Sequence, residues 1–351
     1  MSEARTNEAR AGEARGKPEG ASEALLDVRG LRTWFPIRRG LLRRTAGYVR
    51  AVDGVDIALV RGTTHALVGE SGCGKTTVGR SILRLVEPTA GEIWFGGQNL
   101  LGLSPDAMRP LRRRMQMIFQ DPMTALDPRF RVRDLIAEGM ESFGIGGNAA
   151  DRTERVAAIL RKVKLDPDHM WRYPHEFSGG QRQRVGIARA LAVEPDLVIC
   201  DEAVSALDVS IQAQILNLLA ELRAELGLTY LFITHDLSVV RYLADEISVM
   251  YLGQIVEQGP TEALLNEPRH PYTEGLMAAV PSVDPNERRI RPAVLGDLPS
   301  PAHPPAGCRF HTRCPKRFEP CDKREPALYP LERGGASRCF LVSDSRDSRS
   351  P

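Results

Sequence analysis

The stretch that decides the fold is Gly69-Glu70-Ser71-Gly72-Cys73-Gly74-Lys75-Thr76-Thr77. It matches G-x-x-x-x-G-K-[ST], follows a short apolar run at residues 66–68 and precedes a helical pattern. Glycines let the backbone turn tightly so that its N–H groups converge on phosphate oxygens, and the following helix directs its positive end at the same anion. Lys75 adds a cation for the β- and γ-phosphates, and the Thr76 hydroxyl can ligate Mg²⁺. The stretch therefore predicts a nucleotide-binding loop between a strand and a helix.

Length and composition set the limits of what the rest can be. The chain has 351 residues, of which 42% are hydrophobic, and a net charge of +2. That length allows one large domain or two ordinary ones, and the near-neutral charge gives no reason to expect a broad nucleic-acid surface. Residues 1–23 contain almost nothing apolar, so we expect a disordered tail there and not a signal peptide. No apolar run approaches 18 residues, so we expect a cytosolic chain that does not cross a membrane.

Apolar runs and helical patterns alternate along the middle of the chain. Residues 197–200 and 231–235 contain continuous apolar runs, as expected for buried parallel strands. Residues 211–226 and much of 132–165 have the apolar spacing of helices. This alternation predicts an α/β fold with a mostly parallel sheet and helices on both faces.

Two adjacent acids, Asp201 and Glu202, end the first of these runs. Asp201 at the end of a buried strand suits a carboxylate associated with Mg²⁺, and Glu202 suits a base that polarises the attacking water. Adjacent acids at a strand end also occur by chance. The pair by itself leaves both interpretations open.

The order of motifs resembles that of the nucleotide-binding subunits of ABC transporters, over roughly residues 24–341. The motifs are Walker A at 69–77, the Q-loop residue Gln120, the signature Ser178-Gly179-Gly180-Gln181, Walker B at 197–201 followed by Glu202, the D-loop Ser205-Ala206-Leu207-Asp208 and the switch residue His235. The resemblance implies a P-loop ABC ATPase fold with a RecA-like, mostly parallel sheet core and an antiparallel strand portion. It also implies a nucleotide-binding domain at 24–270, with a helical subdomain at about 121–192.

The resemblance implies ATP and Mg²⁺ as ligands and assigns the roles within the site. Glu202 is the expected catalytic base, assisted by His235 and Gln120. The expected magnesium ligands are Thr76, Gln120 and Asp201. The expected nucleotide-binding residues are the whole loop (Gly69, Glu70, Ser71, Gly72, Cys73, Gly74, Lys75, Thr76 and Thr77) with Gln120, Asp201, the four signature residues and Asp208.

The signature beginning at Ser178 opens a helix, so it offers N–H groups, a hydroxyl and a positive dipole to an anion. The phosphate loop already has a helix terminus of its own, so a second anion site in the same chain would be redundant. It makes sense if it caps the γ-phosphate on a partner subunit, as in the head-to-tail dimer of the family.

An aromatic residue upstream of the loop is a candidate for stacking on the adenine ring. Tyr48 is our candidate, although a tyrosine that simply packs within a strand would leave the same pattern. The neighbouring basic segment at 38–44 is expected to be a solvated loop.

Finer details resemble the oligopeptide and dipeptide importer ATPases, and in particular the second of the two paralogous ATPases in such importers. They are Phe119-Gln120-Asp121-Pro122, the run 201–208, His270-Pro271-Tyr272-Thr273, Trp34-Phe35-Pro36 and 47–52. This branch implies a peripheral subunit on the cytoplasmic face of the cell membrane, with a peptide cargo. The implied partners are a paralogous ATP-binding subunit, two integral membrane permeases and, indirectly, a solute-binding protein, with no nucleic acid. Some members of the branch serve nickel or glycosides, so the cargo remains an inference from the family.

Two other function classes are alternatives. ABC-type ATPases that act on nucleic acid or ribosomes generally carry long coiled-coil inserts or two cassettes, whereas this chain has one copy of each motif and no sustained heptads. A non-hydrolysing regulatory subunit would be expected to lack part of the catalytic set, but Lys75, Asp201, Glu202 and His235 are all present.

The remaining feature is a proline-rich C-terminal extension at 271–341, followed by an expected disordered tail at 342–351. It carries Cys308, Cys314, Cys321 and Cys339, spaced C-x5-C-x6-C-x17-C, in a segment with little apolar material. Such a segment cannot readily pack a core, and a metal cross-link would supply its order. The spacing lacks the tight pairs usual for structural zinc, but four thiolates can hold zinc or an iron–sulfur cluster. Four free thiols are the alternative.

The surroundings of the first two cysteines, Gly307-Cys308-Arg309-Phe310 and Arg313-Cys314-Pro315, resemble peptide-importer ATPases whose tail carries a [4Fe–4S] cluster. The resemblance therefore implies such a cluster at the four cysteines, with zinc as the alternative. Arg309, Arg313, Lys316 and Arg317 are expected to offset its negative charge.

Overall fold

The strands of the chain form two sheets. The computed structural model of the protein describes residues 24–40, 44–279 and 296–347. In chain order the strands are β1 (Ala24–Arg39), β2 (Arg44–Val60), β3 (Thr64–Val68), β4 (Ala90–Phe95), β5 (Gln98–Asn99), β6 (Met115–Ile118), β7 (Leu197–Asp201), β8 (Thr229–Thr234), β9 (Glu246–Tyr251), β10 (Gln254–Pro260), β11 (Tyr329–Pro330) and β12 (Ala336–Ser337).

The larger sheet positions the site. Its strand order is β11-β12-β10-β9-β3-β8-β7-β6, and the five strands from β9 to β6 are parallel. The smaller sheet, in the order β2-β1-β4-β5, is antiparallel. These two sheets confirm the predicted α/β class with a mostly parallel core and an antiparallel portion.

The helices cover the parallel sheet and form the insert between β6 and β7. They are α1 (Lys75–Ile82), α2 (Pro105–Arg114), α3 (Pro122–Ala125), α4 (Val132–Ser142), α5 (Ala149–Lys162), α6 (Gly179–Leu191), α7 (Val209–Leu226), α8 (Leu237–Leu243), α9 (Thr261–Asn266), α10 (Pro271–Ala278) and α11 (Phe340–Asp347). Helices α3 to α6 occupy the region predicted to be the helical subdomain. No helix in the described ranges is long and apolar enough to span a membrane.

The insert packs on one side of the sheet through a continuous apolar cluster. Ile136 from α4, Leu160 from α5 and Val185 from α6 are fully or almost fully buried in it, together with Val198 of β7. Apolar residues spaced three or four apart put one face of each helix into this cluster. The helical spacing of apolar residues in the sequence therefore corresponds to the helix faces that pack into this cluster.

The C-terminal extension adds to the main sheet. Strand β12 pairs antiparallel with β10 through Glu257–Ser337 and Gln258–Ala336. Phe310 is 1% exposed and belongs to the same apolar cluster as Tyr251 and Tyr272. The extension is thus packed against the nucleotide-binding domain, and the predicted boundary at residue 270 stays a prediction.

Most residues of the two predicted tails lie outside the described ranges. The predicted disordered tail at residues 1–23 lies outside them, as do residues 41–43 of the basic segment and residues 348–351. A second tail was expected from residue 342, but helix α11 runs from Phe340 to Asp347. Phe340 anchors this helix because only 9% of it is exposed.

Candidate functional site

The loop between β3 and α1 has a backbone that suits glycine at two positions. Gly69 has a φ of 155° and Gly74 a φ of 111°, within the region that favours glycine. A Cβ atom on Gly74 would lie 2.0 Å from the carbonyl oxygen of Ala51, and one on Gly69 would lie 2.2 Å from that of Met250. Strands β2 and β9 therefore support the loop from behind at a distance that no side chain permits.

Lys75 is buried at the first turn of α1, with 4% of it exposed. Its ammonium group donates to the carbonyl oxygens of Gly69, at 2.7 Å, and Glu70, at 3.0 Å. Charged oxygens of a phosphate are stronger partners for an ammonium group than neutral carbonyls. The lysine is therefore held close to the loop in a position from which it can turn to a bound anion.

Thr76 joins the loop to the end of β7. Its hydroxyl donates to the Asp201 carboxylate at 2.8 Å, and burial raises the pKa of Asp201. A hydroxyl beside a carboxylate is an oxygen donor set of the kind that Mg²⁺ accepts, so these two predicted ligands fit the ion. The third predicted ligand, Gln120, is hydrogen-bonded to Glu202.

Gln120, Glu202 and His235 meet at the carboxyl edge of the parallel sheet. They follow β6, β7 and β8, which are neighbours in the sheet. The Gln120 amide donates to one Glu202 carboxylate oxygen at 2.8 Å, and Nδ1 of His235 lies 3.3 Å from the other. Separate elements thus orient each oxygen of the carboxylate, as a general base requires.

Glu202 also has an unusual backbone conformation. Its φ is 46°, a region sparsely populated by residues other than glycine. Its N–H donates to the Ile233 carbonyl at 2.9 Å, and its own carbonyl accepts from the Ser205 N–H at 3.1 Å. Such conformations persist where surrounding contacts impose them, and they cluster at functional sites.

The signature forms the start of α6 and is exposed at its first two residues. The Ser178 hydroxyl accepts from the Gln181 N–H at 3.4 Å, and the Gln181 side-chain oxygen accepts from the Ser178 N–H at 3.0 Å. This reciprocal capping box satisfies the N–H groups of Ser178 and Gln181 and fixes the helix N-terminus. Ser178 and Gly179 face solvent, and among the described residues neither is hydrogen-bonded to the phosphate loop.

The rest of the signature and the D-loop pack against each other. A Cβ atom on Gly180 would lie 2.5 Å from a methyl carbon of Ile211, so this position has room only for glycine. Leu207 lies beneath Gly179, while Asp208 at the start of α7 is exposed. The D-loop residue Leu207 thus lies next to the first glycine of the signature.

Comparisons with known proteins identify the family. A family model described as "ABC transporter" matches residues 52–205, and one described as "Oligopeptide/dipeptide transporter, C-terminal region" matches residues 256–321. The oligopeptide transport ATP-binding protein AppF of Bacillus subtilis is 50% identical over 324 residues, which cover 92% of this chain and 98% of AppF. The chain belongs to the ABC transporter ATPases. The dipeptide transport ATP-binding protein DppF of Escherichia coli is 45% identical over 325 residues, which cover 93% of this chain and 96% of DppF.

Solved structures give the same result for the fold. The ATP-binding cassette MJ0796, in a dimeric post-hydrolysis state bound to ADP and Pi, superposes with a TM-score of 0.60 and 25% identity, over 67% of this chain and 98% of MJ0796. The cbiO1 protein of Clostridium perfringens superposes with a TM-score of 0.60 and 27% identity, over 70% of this chain and 92% of cbiO1. The predicted ABC ATPase fold is confirmed, and as an ABC ATPase the chain binds ATP with Mg²⁺.

Tyr48 lies on β2, the strand whose Ala51 carbonyl oxygen packs against Gly74 of the phosphate loop. It is 46% exposed, and its ring centroid is 6.1 Å from that of Trp34, with the planes tilted by 50°. The Arg50 guanidinium lies over the same tryptophan at 5.0 Å. The contact with Trp34 fits the packing alternative and the exposed face fits stacking, so the adenine role stays a prediction.

The four cysteines of the extension line one small cavity, together with His311. Burial raises the pKa of Cys308 to about 11 and that of Cys339 to about 12. No group of three or more His, Cys, Asp or Glu side chains in the described ranges is arranged to hold a metal ion. The geometry of the described residues therefore does not support the predicted metal site, although all four thiols border one cavity.

The basic residues expected to offset a cluster charge have other partners. Arg309 is paired with Asp53 and Arg313 with Glu70 of the phosphate loop, both far away in sequence. Lys316 is paired with Glu274 of α10. That expectation is corrected for these three residues, because each already has a carboxylate partner in the folded chain.

Sequence patterns missed the contacts that join the extension region to the phosphate loop. The Glu70 N–H donates to the Tyr272 hydroxyl at 2.9 Å, and the Arg313 guanidinium binds the Glu70 carboxylate. Tyr272 and Arg313 stand out in the sequence only as parts of branch motifs. Nothing in the spacing indicates that they lie beside the loop.

Proposed function

We propose that this ABC ATPase energises the import of dipeptides or oligopeptides by hydrolysing ATP. The convergence of Gln120, Glu202 and His235 at the end of the sheet that carries the phosphate loop is the observation behind the hydrolytic step. The names of AppF and DppF, and the match of residues 256–321 to the oligopeptide/dipeptide transporter C-terminal region, support the cargo.

Binding begins with an exchange of partners at Lys75. The ammonium group leaves the Gly69 and Glu70 carbonyl oxygens for phosphate oxygens, while the loop N–H groups and the start of α1 surround the anion. Thr76 and Asp201 would hold Mg²⁺, which offsets charge on the phosphates when it is bound.

The hydrolytic step belongs to Glu202. Its carboxylate accepts a proton from the attacking water, while the Gln120 amide and His235 keep its two oxygens in place. Gln120 precedes the helical insert, so a movement of the insert would shift this hydrogen-bond partner of Glu202. This link would couple transport to hydrolysis.

We also infer a head-to-tail dimer with a paralogous ATP-binding subunit, this chain being the second-ATPase type. The exposed Ser178-Gly179 helix start supports it, since a helix N-terminus offers N–H groups and a positive dipole to an anion, and Asp208 of the D-loop is also exposed to a partner. The dimeric state of MJ0796 supports it by similarity. The dimer would act on two membrane permeases at the cytoplasmic face of the membrane, with a solute-binding protein delivering cargo and no nucleic acid involved.

Uptake measurements test the cargo. A strain lacking the gene should lose uptake of labelled dipeptides and tripeptides but retain nickel uptake, and the wild-type chain should restore it where Glu202→Gln does not. Loss of nickel uptake with normal peptide uptake would establish the alternative cargo. Co-purification with ribosomal RNA or DNA, without integral membrane proteins, would replace transport by the nucleic-acid class.

We further propose a [4Fe–4S] cluster at Cys308, Cys314, Cys321 and Cys339, structural or redox-sensing, with zinc as the alternative. Its support is the single cavity that all four thiols share and the known capacity of four thiolates to hold such a cluster. Anaerobically purified protein should be brown and lose its colour in Cys314→Ser. Colourless protein with stoichiometric zinc would indicate the other metal, and metal-free protein would leave four free thiols.

A further inference from the structure

Glu70 of the phosphate loop is held by groups from inside and outside the loop motif. Its carbonyl oxygen accepts from Lys75 at 3.0 Å, its N–H donates to the Tyr272 hydroxyl at 2.9 Å, and its carboxylate binds Arg313. Only the first of these groups belongs to the loop motif. The other two belong to the polypeptide that follows the nucleotide-binding motifs.

The Arg313 contact has the geometry of a strong pair. Its two terminal nitrogens donate to the two Glu70 oxygens at 2.7 and 3.0 Å, which is the bidentate arrangement that guanidinium and carboxylate favour. The arginine side chain is only 7% exposed, and its guanidinium lies 5.8 Å from the centre of the Tyr251 ring. Burial and packing therefore fix the arginine in one place, with little screening by solvent.

The charge of Glu70 is a problem for a phosphate-binding loop. A carboxylate within the loop repels the nucleotide, and the repulsion is strong where protein excludes water. Arg313 supplies the opposite charge at hydrogen-bonding distance. It thereby removes the repulsion and also fixes the first turn of the loop.

A second arginine of the same segment reaches the back of the loop. Arg309 donates to the carbonyl oxygen of Leu252 at 2.5 Å and is paired with Asp53. The adjacent Gly253 N–H donates to the Cys73 carbonyl oxygen at 2.9 Å. The segment between the first two cysteines of the extension therefore reaches the loop directly through Arg313 and indirectly through Arg309 and Leu252.

We propose that Arg313 is a positioning residue for nucleotide binding, which neutralises Glu70 and holds the phosphate loop ready for the anion. The C-terminal extension is then part of the ATP site and not only an appendage to it. The proposal rests on ATP binding at this loop. It predicts that the charge of Glu70 decides the effect of losing Arg313.

Equilibrium binding of a fluorescent ATP analogue with Mg²⁺ to the full chain tests this. Arg313→Ala should weaken binding about tenfold, because a bidentate charged pair is lost and Glu70 faces the phosphates unpaired. The double variant Glu70→Gln/Arg313→Ala should bind within about threefold of the wild type, because the repulsive charge is gone. Arg313→Lys keeps the positive charge but loses the bidentate geometry, so its affinity for the analogue should lie between those of Arg313→Ala and the double variant.

Arg333→Ala is the matched control, since Arg333 lies in the same extension, is 76% exposed and is paired with Glu267 away from the loop. It should bind nucleotide like the wild type. Thermal unfolding without nucleotide monitors folding in each variant. Unchanged affinity in Arg313→Ala, or a double variant as weak as Arg313→Ala at equal thermal stability, would overturn the proposal. Failure of the wild-type chain to bind ATP would instead overturn the proposed function.

Discussion

Glu202 illustrates how much of the chemistry depends on single side chains. Its two carboxylate oxygens are held by Gln120 and His235, and its backbone has a positive φ that only tertiary contacts sustain. Asp201 beside it turns to Thr76 instead. Two adjacent acids thus have different partners, in agreement with the roles proposed for them, one toward the metal and one toward water.

Replacing this base tests the hydrolytic assignment. Glu202→Gln keeps the size and most polar contacts but cannot accept a proton, so turnover should fall at least about a hundredfold while ATP binding is retained. The variant should accumulate as an ATP-bound dimer on size-exclusion chromatography. Glu221→Gln, an exposed position on α7 paired with Lys164, is the control. Turnover within tenfold of wild type would exclude Glu202 as the base.

Lys75 gives a contrasting result because it acts in binding. Lys75→Ala removes the buried ammonium group that lies on the Gly69 and Glu70 carbonyls. ATP affinity itself should weaken at least about tenfold, through lost charge at the phosphates. Isothermal titration with Mg–ATP measures this, and Lys164→Ala on the surface should bind normally. Equal ATP affinity in Lys75→Ala would contradict the role assigned to the loop.

At the scale of elements, the N-terminus of α6 is the feature that has no hydrogen bond to the phosphate loop of its own chain among the described residues. Its capping box leaves Ser178 and Gly179 exposed, and Gly180 brings the helix close to Ile211 of α7. An exposed helix start offers N–H groups and a positive dipole to an anion. Its position suits the nucleotide of a second subunit.

Ser178→Arg should therefore damage the site whose phosphate loop belongs to the partner. In the two-subunit complex, a photoreactive ATP analogue should label this chain normally and the partner weakly, whereas Lys75→Ala should give the reverse pattern. Ser104→Arg is a matched control, because Ser104 also caps a helix through its hydroxyl. Loss of label from this chain alone in Ser178→Arg would show that the sites are not shared.

At the scale of the whole molecule, the proposed shared site needs a second subunit to bring a signature to the phosphate loop of this chain. Hydrolysis by the chain alone should therefore depend on association. Activity per chain should rise with concentration and with added partner subunit, in parallel with dimer measured by sedimentation. A strictly monomeric chain that hydrolyses ATP at the full rate would rule out the composite site.

Local sequence patterns predicted most of the fold and the elements that carry the site. The phosphate loop, the buried strands that end at Asp201 and Thr234, and the helices of the insert all leave local signals, because a strand or helix exposes its period over a few residues. Parallel strands end at one edge of a sheet. The resemblance to the ABC transporter family assigned Gln120, Glu202 and His235 to one site, and this sheet geometry explains why they meet there.

Only the tertiary structure decided which residues of the C-terminal extension pair with the phosphate loop and the strand behind it. Arg313 and Glu70 are 243 residues apart, and no period or motif links them. From sequence, the basic residues near the cysteines were assigned to a cluster charge, whereas in the fold Arg309 and Arg313 reach Asp53 and Glu70. A charge pairs with whichever opposite charge the packed chain brings within a few ångströms, and that proximity is a property of the folded chain as a whole.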